Sequence, residues 1–180
     1  MLSVPRAELR TTTLSRSMTE RVDFADIFAA HHADALRLAY LLTGDRHRAE
    51  DVVSEAFVKV FRRWDAGAVE QPRAYIRRAV VNESNSRFRR LALERREAAK
   101  QSGDERGSRA ADEQLADQDL VFAALRRLPE RQRTALVLRF YQDLSERDIA
   151  DAMGVSQGTV KSSISRGLDR LRAELGEEVF

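Results

Sequence analysis

Apolar positions recur along this chain at helical spacing, in segments set apart by short polar stretches. The first segment carries Phe24, Ile27, Phe28, Ala35, Leu38, Ala39 and Leu42 on one face. It begins after Asp23, a capping residue, and stops at Gly44, so one amphipathic helix is predicted there. Asp45 suits the cap of a second helix whose apolar residues are Ala49, Val52, Val53, Ala56, Phe57, Val60, Phe61 and Trp64. Trp64, at its end, reads first as a core plug and only secondarily as a base-stacking ring. A loop is predicted over 65–71. Pro72 then fits the first turn of a third helix running to about Arg90, with Ile76, Ala79, Val80 and Phe88 as packing residues.

From about 92 to 114 the pattern is lost in charged and small residues, which reads as a flexible linker, helical at most at its start. Periodicity returns with Leu120, Val121, Ala124, Leu125 and Leu128 before Pro129. A further helix carries Ala135, Leu136, Leu138, Arg139 and Phe140. Ser145 and Asp148 then resemble a capping box, ahead of Ile149, Ala150 and Met153. Gly154 allows a sharp turn, Val155 plugs the angle, and Ser156 caps a last helix with Val160, Ile164, Leu168 and Leu171 on its apolar side. This arrangement is a helix-turn-helix. Gln157, Thr159, Lys161, Ser162, Ser163 and Arg166 occupy the opposite side, where side chains near a recognition helix's N-terminus reach base edges and phosphates in a major groove. A plain helical hairpin with a solvated outer face is the blander alternative. Cap, glycine turn, second cap and basic polar face together weigh against it.

The fold expected is all-α, with two small helical domains over 21–91 and 115–180 and a tail over 1–20 that lacks helical periodicity. Met18, just ahead of the first periodic segment, is a candidate native start. No apolar run is long enough for a bilayer and no hydrophobic signal core follows the start, so a cytoplasmic location is expected.

Charge changes the picture only locally. Net formal charge is +2, yet between Pro72 and Leu91 six arginines (73, 77, 78, 87, 89 and 90) face the single acid Glu83, a field that attracts phosphate. Arg78, Asn82, Asn85 and Arg89 share one helical face, and two asparagines on a helix are poor formers with good hydrogen-bonding reach. Absence of cysteine excludes disulfides, thiolate metal sites and thiol switches. Of the three histidines, the adjacent His31 and His32 point apart on a helix, so no metal site is expected. Nor is any cofactor or small-molecule substrate.

Four stretches, Ala49 to Phe57, Tyr75 to Asn82, Leu128 to Arg133 and Gly158 to Ser162, resemble the sigma-70 factors of group IV, the extracytoplasmic-function class. The resemblance spans nearly everything past Met18. It implies a promoter-specificity subunit of RNA polymerase, with a sigma-2 domain first and a sigma-4 domain second, and no enzymatic site. It implies further that Asp51, Ser54, Glu55, Val58 and Arg62 dock on the polymerase core. The loop 65–71 and Asn82 would take up a base flipped from the minus-10 element, with Arg73, Arg77, Arg78, Asn85 and Arg89 on the strands. The helix-turn-helix would read the minus-35 duplex, and an anti-sigma factor would be a regulatory partner. Ser54 stands where the family usually has glutamine, which trims a long donor-acceptor arm from the docking strip, and Ser163 where it often has arginine, which implies a weaker or altered minus-35 preference. Two other readings fit part of the chain: a dimeric operator-binding regulator, which leaves the basic third helix unexplained, and a protein that merely sequesters a partner, which leaves both basic faces unexplained.

Overall fold

A computed structural model describes residues 23–65, 68–102 and 120–176. Among them are seven α-helices: α1 Phe24–Thr43, α2 Arg46–Asp65, α3 Pro72–Ser102, α4 Leu120–Arg127, α5 Glu130–Leu136, α6 Glu146–Met153 and α7 Gln157–Leu175. A wide π-helical turn, Val137–Tyr141, continues α5. The 1–20 tail, Met18 and most of the 92–114 linker beyond Ser102 lie outside the described residues.

The helix ends follow local chemistry. Asp23 caps α1, and Gly44 closes it at φ 70°, returning its N–H to Tyr40 O, the left-handed cap that favours glycine. Asp45 caps α2 by accepting from Arg48 N at 2.7 Å. Ser145 and Ser156 accept the N–H of Asp148 and Thr159, each at 3.2 Å. The capping box at α6 is incomplete, because Asp148 accepts from the Ser145 hydroxyl at 2.6 Å in place of the cap's backbone N–H.

Two predicted boundaries move. The third helix was expected to stop near Arg90 but continues to Ser102. Its extension, Leu91 to Ser102, is rich in Ala, Leu, Glu, Arg and Lys, strong helix formers that need no apolar stripe to stay helical when joined to a packed helix. Arg90 and Glu94 add an i,i+4 ion pair. After Leu136 the helix widens. The π turn buries Val137 and Leu138 but leaves Phe140 64% exposed, so the apolar stripe expected to continue through Phe140 does not.

α1, α2 and α3 pack as a three-helix unit through the predicted stripes, with Leu38, Leu42, Val52, Val60 and Val80 fully buried. The helix-turn-helix half does not stand apart from it. Buried residues of α1–α3 and of α5, α6 and α7 form one continuous apolar cluster. Tyr40 stacks on Phe122 with centroids 4.9 Å apart. Arg37 donates to the Tyr141 hydroxyl at 3.1 Å, and the Arg133 guanidinium lies over the Phe88 ring at 5.1 Å. Trp64 packs against the core.

Candidate nucleic-acid and partner surfaces

On α2, burial of Val52, Val53, Ala56, Phe57 and Val60 turns Asp51, Ser54, Glu55, Val58 and Arg62 outward. The five share one open face, and Val58, half exposed, gives it an apolar centre. Two of its acids are already engaged. Arg87 reaches across from α3 to donate to Asp51 at 2.8 Å and Glu55 at 2.7 Å. The hydrogen bond from Arg87 is the main reason the Glu55 carboxyl sits below the usual carboxylate range, with partial burial opposing it. Arg87 belongs by sequence to the phosphate-attracting field of α3, and the fork to two carboxylates cancels that contribution. No local pattern could have revealed this pairing, since the partners lie 36 and 32 residues apart. On that open face the Ser54 hydroxyl donates back to Glu50 O of its own helix at 2.9 Å.

On α3, the six expected minus-10 residues divide. Arg78, Asn82 and Arg89 lie exposed on one stripe, with Asn85 half-buried beside them. Arg73 and Arg77 lie off that stripe, as a helical step of about 100° per residue requires. The set also extends over about 24 Å of helix at 1.5 Å per residue, so no single base meets all of it. A polar hollow of ≈ 470 Å³ opens at the start of α3, lined by Ala68, Val69, Glu70, Gln71, Ala74, Tyr75, Arg77 and Arg78 from the first half. Asp148, Asp151 and Ala152 of α6 line its other side. Arg78 donates through Nε and Nη2 to Asp151 O at 3.1 and 2.9 Å. Burial, then the neighbouring Arg73, pull the Arg77 guanidinium below its ordinary pKa, while Asp148 acts the other way.

On α7, Gln157, Lys161 and Arg166 are exposed, and Thr159 and Ser162 are half-buried. Lys161 comes within 3.7 Å of Glu146 across the turn. Ser163 corrects the expectation. It is 8% exposed, and its hydroxyl donates to Thr159 O at 2.7 Å, on the side where Val160, Gly167 and Leu171 are buried. Its position is four residues before Gly167, whose side meets Leu136 of α5, so it belongs to the packed flank. Ser165, outside the expected set, is exposed four residues after Lys161.

Among the described residues no group of His, Cys, Asp and Glu is placed to hold a metal ion, and no helix is long and apolar enough to cross a membrane. His32 packs beside the Phe28 ring at 4.7 Å, and His47 lies in solvent with Glu50 3.9 Å away.

A helical half with an arginine-lined hollow, packed on a helix-turn-helix, is the arrangement of a DNA-binding protein. The chain matches Sigma-70 region 2 over residues 27–94 and Sigma-70, region 4 over residues 118–171. It is 34% identical over 161 residues to the RNA polymerase sigma-E factor of Streptomyces coelicolor, covering 88% of this chain and 89% of that protein. To the ECF RNA polymerase sigma factor SigW of Bacillus subtilis it is 28% identical, covering 84% and 88%. Its fold is similar to the sigma factor RpoE in complex with the anti-sigma factor NepR from Bartonella quintana, with a TM-score of 0.68, 24% identity, and coverage of 87% of this chain and 98% of that one. CnrH in complex with the cytosolic domain of CnrY is similar at a TM-score of 0.56 and 25% identity, covering 84% and 86%. The chain belongs to the sigma-70 family, within the extracytoplasmic-function class of group IV. Its function is that of a sigma factor, in promoter-specific transcription initiation. Sigma factors are transcription regulators and not enzymes.

Proposed function

We propose that this sigma factor docks on core RNA polymerase through the outer face of α2, holds a melted minus-10 strand against α3, and reads the minus-35 duplex with α7. The observation that carries the reading is the wall that the 68–71 segment and the first turns of α3 give to the polar hollow, with Arg77 and Arg78 on it and α6 on the other side. Extruding a base from the stack costs a few kcal/mol, roughly. A hollow that accepts the base, with guanidinium groups on the flanking phosphates, returns that energy, so strand opening draws on binding and needs no catalytic side chain. Asn82, exposed one turn beyond Arg78, is the base-edge reader. Gln157, Lys161 and Arg166 supply the duplex contacts, with Thr159 and Ser162 nearer the backbone. An anti-sigma partner is supported by the two similar solved structures, both of which are complexes and one of which names its partner as an anti-sigma factor.

The test is reconstitution with sigma-free core polymerase on genomic promoter fragments, with start sites mapped. Sequence-dependent starts are expected. Asn82→Ala is expected to lower open-complex formation with duplex binding retained, and Arg166→Ala to lower minus-35-dependent binding by about tenfold, the scale of one lost polar base or phosphate contact. Duplex binding without core affinity would replace this reading by the operator-binding regulator.

A further inference from the structure

The outer strip of α2 has few polar side chains able to reach a partner. The Ser54 hydroxyl is spent on Glu50 O of its own helix, and Val58 is apolar. Asp51 and Glu55 carry the acidic chemistry of the strip, and both are held from a second helix. Arg87 of α3 donates through Nη1 to Asp51 Oδ2 at 2.8 Å and through Nη2 to Glu55 Oε1 at 2.7 Å. One turn further along the same seam, Lys59 pairs with Glu83, whose side chain is almost wholly buried. Asp51, Glu55 and Lys59 stand at steps of four on α2, and Glu83 and Arg87 at the same step on α3, so the pairs form one row of charges that zips the two helices together. Side chains of Asp51 and Glu55 are 62% and 51% exposed, while that of Arg87 is 21% exposed. The acids thus face solvent over a cation tucked between the helices, and the planar guanidinium fork fixes both at once. Arg87 also stands about half a turn around α3 from Arg78, at about 100° per residue, so it points away from the stripe assigned to the minus-10 strand.

Given the assignment of the α2 strip to polymerase docking, on which this rests, we propose that Arg87 is a positioning residue for that docking. From α3 it holds the Asp51 and Glu55 carboxylates of α2 in the arrangement that basic side chains of the core enzyme meet. Two effects of Arg87 oppose each other. Its positive charge weakens the pull of the two acids on a cationic partner, but charges this exposed are screened by salt and contribute little. Freezing two rotamer-rich side chains before the partner arrives removes an ordering cost that docking would otherwise carry, and this effect is the larger. A loose Asp51 or Glu55 still attracts the core enzyme but holds it for less time. Docking is therefore built on two helices, α2 supplying the contacts and α3 their geometry.

The test uses the full chain on immobilised, sigma-free core polymerase, with association and dissociation rates read separately, at a temperature where circular dichroism shows every variant folded. Arg87→Met is expected to speed dissociation about tenfold, the scale of two side chains losing their fixed conformations, with association changed by less than about twofold. Arg87→Lys, a point charge without the planar fork, is expected to recover part of the loss. In an Asp51→Ala, Glu55→Ala background nothing is left to position, and Arg87→Met is expected to have no further effect on dissociation. A loss that persists in that background marks general loosening of the helices and overturns the proposal. Core binding by Arg87→Met equal to or tighter than wild type also overturns it, as does complete recovery by Arg87→Lys, which makes charge alone sufficient. In each of these cases the α2 assignment survives provided that the alanine pair weakens core binding. An alanine pair without effect on core binding removes that assignment and the role of Arg87 with it.

Discussion

Gly167 sits where α7 packs on α5, and a methyl group there would lie 2.8 Å from Leu136 Cδ1 and 3.1 Å from its Cγ. Leu136 is 2% exposed and has little room to yield. Overpacking of this kind costs about 1–3 kcal/mol, against a gain of at most about 1 kcal/mol in helix propensity. Gly167→Ala is therefore expected to lower the urea midpoint. Gly158 is the counterexample on the same helix: its nearest neighbour to a new Cβ is Ser156 Oγ at 3.9 Å, so Gly158→Ala is expected to raise the midpoint, by less than about 1 kcal/mol so close to the helix start. At Glu55 the hydrogen bond from Arg87 holds the folded-state pKa below the unfolded one. The stabilisation is thus complete above the unfolded pKa and is lost as pH falls through the folded one. Arg87→Ala should cost stability at neutral pH, and urea titrations below the carboxylate range should show that cost shrinking.

At the scale of the element, the helix-turn-helix depends on three small residues whose roles are backbone roles. Ser145 and Ser156 each satisfy an otherwise free N–H at a helix start, and replacing either by alanine is expected to cost about 1 kcal/mol. Gly154 adopts φ 65° with nothing within 4 Å of a new Cβ, so only backbone strain opposes a side chain. Gly154→Ala is expected to lose about 1–2 kcal/mol, and Gly154→Asn less, since asparagine tolerates the left-handed region. Thermal melts of the four variants check the order. The caps were legible because they are local chemistry, acting across three residues. The π turn after Leu136 was not: Val137–Tyr141 contains no breaker. Tertiary packing decides which way Phe140 and Tyr141 point, not the spacing of apolar residues along the helix.

In the whole molecule, Arg133 joins the halves. It is 6% exposed, donates to Arg126 O at 3.2 Å, and lies over Phe88 of α3. Its Nε has no protein partner, and burial pulls its pKa down. A buried cation with so few partners costs desolvation that apolar packing would avoid. Arg133→Met is expected to match or exceed wild-type stability, while Arg133→Ala leaves a void and destabilises. Phe88→Ala removes the ring under the cation and part of the contact between halves, and is expected to lower Tm by several degrees, on a scale of about 2–4 °C per kcal/mol for a chain this long. Scanning calorimetry of the three variants separates these outcomes.

Local pattern by itself determined the helical class, the order of the elements, the capping residues, the outward strip of α2 and the basic stripe on α3, because each is written at spacings of one to four residues. The family resemblance was carried by short motifs of the same kind. Tertiary structure alone decided that Arg87 belongs to Asp51 and Glu55, that Ser163 is packed against the neighbouring helix, and that α6 roofs the hollow beside Arg77 and Arg78. Those facts depend on which helices meet. A side chain's partners across 30 or more residues are fixed by the packing of faces, which periodicity can orient but cannot pair.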